Sequence, residues 1–408
     1  MSLRQETITK WVDGIDKGSI VKPYFYLDWD IKNNMSPSIQ ATWYHKIPSD
    51  KKVTWRKVVK IGYREVSLCS SYTPLKSDEL NTGGSVYDSF LQSHLQKAVR
   101  RKNKRAAVFT TDLLLELSPL KLIRRLPIIM VEDAFIHKSF STLIWLMCSM
   151  SIKNDRRELH ENQKKWILGV VYLITTLNYK EHISHDTTNW VFPNHLSEIH
   201  KIKNLDVQDV IYSVETRRCY GGMKGDDVMF QSYEKKCIDI FSYGDNDKWS
   251  SFFYRKVRPI LTKKTLFKQK EWLMEGYDFH CYPSLLGRLE EEFPEYDQDE
   301  HKRTIWFKSS GVNFKAELDY DFEKRKYIHI PKNYIPDNIT QHWNKIRRFI
   351  RRKAWGFVQG MLENLNMMYP EWIDYVPYQP PEIKESNETL LVTESNCKNN
   401  KEYSGNEE

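Results

Sequence analysis

Apolar positions recur along this chain with two different periods. Val21–Ile31 (VKPYFYLDWDI) and Val53–Leu68 (VTWRKVVKIGYREVSL) are rich in β-branched and aromatic residues and predict short strands. Asn33–Pro37 and Pro48–Asp50 supply turn residues between them. Beyond Asn81-Thr-Gly-Gly84 the spacing becomes helical. Tyr87, Phe90, Leu91, Leu95, Ala98 and Val99 share one face, and Ala106–Leu117 predicts a second helix. Ser118-Pro119 opens a third, with serine at the N-cap and proline at N1, and Pro127 is expected to kink or end it. Phe140, Leu143, Ile144, Met147 and Cys148 mark a fourth. Trp166–Leu177 is apolar nearly all round and predicts a central buried helix.

Val207–Tyr220 predicts a helix closed by Gly221-Gly222, and Lys248–Tyr277 reads mainly helical with a break at Pro259. Glu290–Lys302 is a charged helix or loop. Thr304–Lys308 and Tyr327–Ile330 are candidates to pair as strands. Thr340–Tyr369 is the clearest late helix, with Ile346, Phe349, Ile350 and Phe357 on one face. The pattern predicts a mainly α fold: a helical bundle core, a small N-terminal β or α+β region and a disordered acidic C-terminal tail. The expected divisions are a β-rich region over 1–80, a bundle over 81–220, a mixed, mostly helical domain over 221–382 and the tail over 383–408.

Composition narrows the classes. With 408 residues, 40% hydrophobic and 13% aromatic, the chain can bury a real core. Its longest apolar stretch, Trp166 to Ile174, is far short of the roughly 20 residues a membrane helix needs, so no membrane partner is expected. The opening MSLRQETITK lacks the apolar stretch of a secretory signal, which points to an intracellular rather than a secreted protein. Six cysteines without a CxxC pair read as reduced thiols and give no zinc ribbon. The net charge of +8 hides an asymmetry. Residues 371–408 hold nine acids and three bases, a net of −6, which leaves +14 on residues 1–370. A basic body makes a polyanion the first partner to consider.

The densest cationic run is KIRRFIRRK. Lys345, Arg347, Arg348, Arg351, Arg352 and Lys353 surround an apolar face of Ile346, Phe349 and Ile350, with Trp343 and Trp355 on either side. Guanidinium forks suit phosphate oxygens, and aromatics stack on exposed bases. A solvated helix face, a nuclear-import signal or an acidic-lipid surface would use the same residues. Arg100, Arg101, Lys102, Lys104 and Arg105 form a second cluster, which reinforces the first if the fold brings the two to one surface. In Tyr220-Gly-Gly-Met-Lys-Gly-Asp-Asp227, the amides of Gly221, Gly222 and Gly225 with Lys224 are a candidate phosphate nest; Gly-Gly is equally a way to end one helix before another begins. Asp28 and Asp30, two apart on a predicted strand, point to one face and are a weak candidate pair for a divalent metal. Asp278-Phe-His280-Cys281 sets a histidine beside a cysteine, a pairing that sequence neighbours rarely turn into catalytic geometry.

The stretch Leu95 to Phe140 resembles the C-terminal helical collar segment of clamp-loader-related AAA+ ATPases, in particular the replication-associated recombination branch. The resemblance rests on Gln96, Lys97, Arg100, Ala106, Ala107, Pro119, Arg124, Arg125, Leu126, Ile129, Glu132 and Asp133, and covers about 50 residues. It implies a helical module through which subunits assemble. It does not extend to ATP hydrolysis, because no G-x-x-x-x-G-K-[ST] occurs. If the helix continues past Pro127, Arg124 and Glu132 share a face, as do Arg125 and Asp133. Inside a bundle such charges must be paired, so a structural ion-pair network is expected of these four.

These readings converge on a non-catalytic, DNA-associated accessory protein of replication or recombination type, without a cofactor. It would assemble as a homo-oligomer through the collar-like helices, alone or with replication proteins, and hold nucleic acid, DNA first, by charge. Two other classes stay open: a metal-dependent nucleotidyl- or phosphoryl-transfer enzyme built on Asp28 and Asp30, and a scaffold that binds no nucleic acid.

Overall fold

The N-terminal strands lie against the helices with their apolar alternation turned inward. β1 (Tyr24–Trp29), β2 (Ile39–Tyr44), β3 (Trp55–Ile61) and β4 (Arg64–Ser70) form a sheet of order β2-β1-β4-β3, in which β1 and β4 run parallel and the outer pairs antiparallel. The second expected strand region is thus a hairpin. It turns at Gly62, whose φ of 60° is a conformation that favours glycine. Phe25, Leu27, Trp29 and Trp43 are buried, and Phe25 stacks on Trp43 at 4.0 Å. Trp145 donates its indole N–H to the Phe25 carbonyl at 3.0 Å, tying sheet to helices.

The structure is a computed structural model that describes residues 22–30, 39–62, 64–76, 86–152, 155, 157–183, 198–199, 201–242, 251–260, 267–268, 271–273, 276, 284–310, 315–321, 323–324, 326–330, 335–368 and 373–374. All of them belong to one unit, Met1–Tyr375. The acidic tail and the Asp278–Cys281 motif lie outside the described residues.

After the short β5 (Leu75–Lys76), helices α1 (Val86–Arg100), α2 (Lys104–Leu117), α3 (Pro119–Asp133) and α4 (Ser139–Met150) follow in close succession. β6 (Arg157–Glu158) pairs with β5 and leads into α5 (Glu161–Thr176). The fold is mainly α, and its buried apolar cluster runs from the sheet through the helices without a break. Every residue of α4 is buried, and α5 is enclosed along most of its length, with Tyr172 reaching solvent. Pro127 neither ends nor splits α3, which continues to Asp133. Proline lacks only the N–H that would bond residue 123, and the packing of Ile123, Leu126, Ile129 and Met130 holds the helix together. Ser118 makes no side-chain cap; its N–H instead closes α2 on Leu114 O at 2.8 Å.

β7 (Tyr179–Glu181) joins β9 (Ala316–Asp321) and β10 (Lys326–Ile330) in a second sheet of order β10-β9-β7. The strand at 327–330 therefore pairs with 317–320. Thr304–Lys308 is not a strand: it closes a helix and enters a π-helical turn, Trp306–Ser310. α6 (Leu205–Tyr220) and α7 (Lys224–Ser242) complete the bundle. Within Lys248–Tyr277, the described residues 255–260 are not helical, and β8 (Phe267–Lys268) pairs with β11 (Ile373–Asp374). α8 (Ser284–Glu292), α9 (Gln298–Ile305) and the long α10 (Asp337–Met368) form the last group. Among the described residues no helix is long and apolar enough to cross a membrane.

Segment 257–260 runs close along α5, where Ile260 N–H bonds Lys165 O at 3.0 Å. A Cβ on Gly169 would stand 2.2 Å from the Arg258 carbonyl oxygen. Gly169→Ala is therefore expected to lose about 1–3 kcal/mol through forced backbone displacement, despite alanine's better helix propensity. Urea denaturation checks it, and a more stable alanine variant would contradict the close approach.

Candidate functional site

α10 buries Ile339, Ile346, Phe349, Ile350, Val358, Met361, Leu362 and Leu365 and turns its cations outward. It is seated on the connection between α8 and α9 by aromatic contacts. Phe293 meets Phe349 edge-on at 6.0 Å, and Tyr296 stacks on His342 at 3.7 Å. Beneath that stack, His342 lies 3.0 Å from His301 and 2.8 Å from Thr304 Oγ1. Burial pushes His342 down to about 4, so the pair is neutral near pH 7.

Of the six bases in KIRRFIRRK, Lys345 is engaged: it pairs with Glu295 at 3.3 Å and covers the Tyr296 ring at 4.9 Å. Arg347, Arg348, Arg351 and Arg352 are exposed, and none has an acid partner among the described residues. Arg352 and Lys353 both approach the Phe349 ring, at 5.7 and 5.4 Å. Trp343 and Trp355 are half-buried against the core. Phe357 borders a recess with Arg352, Lys353 and Gly356.

The second basic cluster is spent on internal contacts. Arg100 binds Glu132 and Asp133, Arg101 donates to Ser309 O at 3.0 Å, and Lys102 reaches Asn178 at 3.3 Å. Lys104 covers Tyr172 at 5.7 Å, and Arg105 pairs with Glu271. The two clusters thus differ in kind: the four arginines of the first face solvent without acid partners among the described residues, and the second fastens α1 and α2 to distant segments.

The residues of the collar resemblance meet in one buried network. Arg100 donates through Nε to Asp133 Oδ1 and through Nη2 to Asp133 Oδ2 at 3.2 Å and Glu132 Oε1 at 3.1 Å. Gln96 donates to Glu132 Oε2 at 2.8 Å and Asp133 Oδ2 at 2.9 Å, and accepts from Arg125. Burial raises the Asp133 carboxyl, but Arg100 outweighs it and holds the group below the usual carboxylate range. The acids are paired as expected, but with Arg100 on α1 and not with Arg124 or Arg125 on their own helix. Arg124 lies over the Tyr220 ring at 5.0 Å. Below the network, Lys315 is fully enclosed and donates to Asp133 O and Ile174 O, both at 2.8 Å. These carbonyls belong to the last turns of α3 and α5, where unpaired helix oxygens accept the amino N–H groups, while burial pushes Lys315 down to about 7.

The glycine loop is a helix junction. Gly221, at φ 94°, caps α6, and Lys224 opens α7 with Gly225, Asp226 and Asp227 in the first turn. Arg217 donates to Gly221 O at 2.8 Å, and Arg218 pairs with Asp227 at 3.3 Å. The Asp226 carboxylate lies 3.3 Å from where a Gly222 Cβ would stand, so the loop carries its own anion on that side. Asp28 is paired with Lys51 at 2.8 Å, and Asp30 lies just past the end of β1. Among the described residues no three His, Cys, Asp or Glu side chains gather as a metal site would require. Cys69, Cys148 and Cys237 are buried thiols, and the Cys219 thiol donates to Glu215 Oε1 at 3.5 Å.

Sequence reasoning missed Gly356 and Phe357 as partners of the basic run. The available signal was Gly356 and Gly360, one helical turn apart inside an otherwise strong helix. Comparison of the chain with protein-family models, curated proteins and solved structures finds no match.

Proposed function

We propose that this chain is a non-catalytic nucleic-acid-binding protein that holds the phosphate backbone on the exposed face of α10. The observation that carries the reading is the concentration of Arg347, Arg348, Arg351 and Arg352 within two turns of one helix, solvent-facing and without acid partners among the described residues. Four like charges side by side repel one another, and a phosphate chain relieves that repulsion while releasing its own counterions. The accessory role of replication or recombination type, in assembly with copies of itself or with replication proteins, rests on the collar resemblance of Leu95 to Phe140; the buried network fixes α1 against α3 within the chain.

A salt titration of DNA binding tests the reading. Each engaged phosphate adds about 0.9 to the slope of log affinity against log salt. Replacing the four arginines with glutamine is expected to weaken binding uniformly across sequences and to flatten that slope by about 2 to 4. Absence of binding at low salt, or a variant that binds like the wild type, would refute it.

A further inference from the structure

Gly356 follows Arg352 by one turn on the exposed face of α10. A Cβ added at Gly356 or Gly360 meets no atom within 4 Å, so the helix backbone is bare there. The groove beside it has a volume of about 480 Å³, and its walls among the described residues are Arg352, Lys353, Gly356 and Phe357. Arg352 and Lys353, two of these walls, also lie over the Phe349 ring one turn earlier in the helix, at 5.7 and 5.4 Å. Phe357 is held in place by Tyr87 at 6.2 Å and Phe90 at 5.9 Å.

Cations, a fixed aromatic ring and a strip of uncovered backbone suit a ligand that is anionic at one end and flat at the other. A nucleotide has that chemistry: its phosphate meets the guanidinium and ammonium groups, and its base lies against the ring and the glycine. In a duplex the base faces are stacked on one another and cannot enter. We infer that this groove seats an unpaired nucleotide and makes the basic face selective for single-stranded over double-stranded nucleic acid; the inference rests on the phosphate-binding reading above.

The test uses the full chain and fluorescence anisotropy, with a labelled single strand of about 20 nucleotides and a duplex of the same sequence at equal salt. The wild type is expected to bind the single strand about tenfold more tightly, as loss or gain of one stacked base implies. Gly356→Leu fills the groove, meets open space and improves helix propensity. It is expected to keep or raise the thermal midpoint, to lose the tenfold preference and to bind duplex unchanged. Equal wild-type affinities, or a leucine variant that retains the preference, would overturn the groove while leaving the phosphate-binding face intact. Failure to bind either probe would overturn both.

Discussion

Arg100→Ala is expected to cost the fold about 3–5 kcal/mol, the loss typical of removing one partner from a buried ion pair. Asp133 is wholly enclosed and has Arg100 as its cation; Gln96 supplies a neutral donor only. Without the guanidinium, the carboxylate must take up a proton or draw in water, and either disturbs the seam between α1 and α3. Arg100→Lys restores the charge without the planar fork, so it is expected to recover part of the loss. Urea denaturation reads both variants: a falling midpoint at unchanged slope is the expected result. An alanine variant as stable as the wild type would show that Asp133 is solvated from another direction.

Acid is expected to act through the buried histidines. Burial pushes His94 down to about 3 and His137 and His342 down to about 4. His94 is locked between Thr110 Oγ1 at 2.8 Å and the Leu273 N–H at 2.9 Å, and His137 between Ser139 and the Arg255 carbonyl. From the ordinary value of 6.5 down to those levels, the unfolded chain takes up protons that the folded chain refuses, so stability falls with pH. Glu181 and Asp209 oppose this. Burial pushes each up to about 7, so the folded chain keeps protons that the unfolded chain has lost, and their contribution falls as pH rises toward 7. Burial raises Glu234 in the same way and lowers His301, so buried imidazoles and buried carboxyls pull against each other between about pH 4.5 and 6.5. Combining Glu181→Gln with Asp209→Asn removes these two opposing groups and is expected to steepen the gain in stability with rising pH by about two protons, or about 2.7 kcal/mol per pH unit. Urea midpoints taken at half-unit steps check this; an unchanged slope would mean that both carboxyls titrate at ordinary values.

What could be read from the chain followed the range of each interaction. The helices from Val86 to Met150 were legible because their apolar periods are local. Ile39–Tyr44 escaped notice because its strand character depends on pairing with Tyr24–Trp29 and on Trp43 packing, neither of which a six-residue window contains. Thr304–Lys308 has strand-like residues, yet the capping box at Asp297 and Glu300 starts a helix that runs into it. The candidate site divided in the same way. Exposure of the α10 arginines followed from the helix period. The fate of Arg100–Arg105 did not, because Asp133, Glu271 and Ser309 lie between 33 and 208 residues away. Pairing Arg124 with Glu132 by helix spacing overlooked a better donor on another helix.

The amino group of Lys315 carries a consequence for biogenesis. It closes the ends of two helices that leave the ribosome well before it does, since Asp133 and Ile174 precede it by 182 and 141 residues. The nascent bundle therefore waits, with those oxygens open, until the later third of the chain has been made. Sealing these two helix ends is thus a late step of chain synthesis, set by a residue more than 140 positions further along.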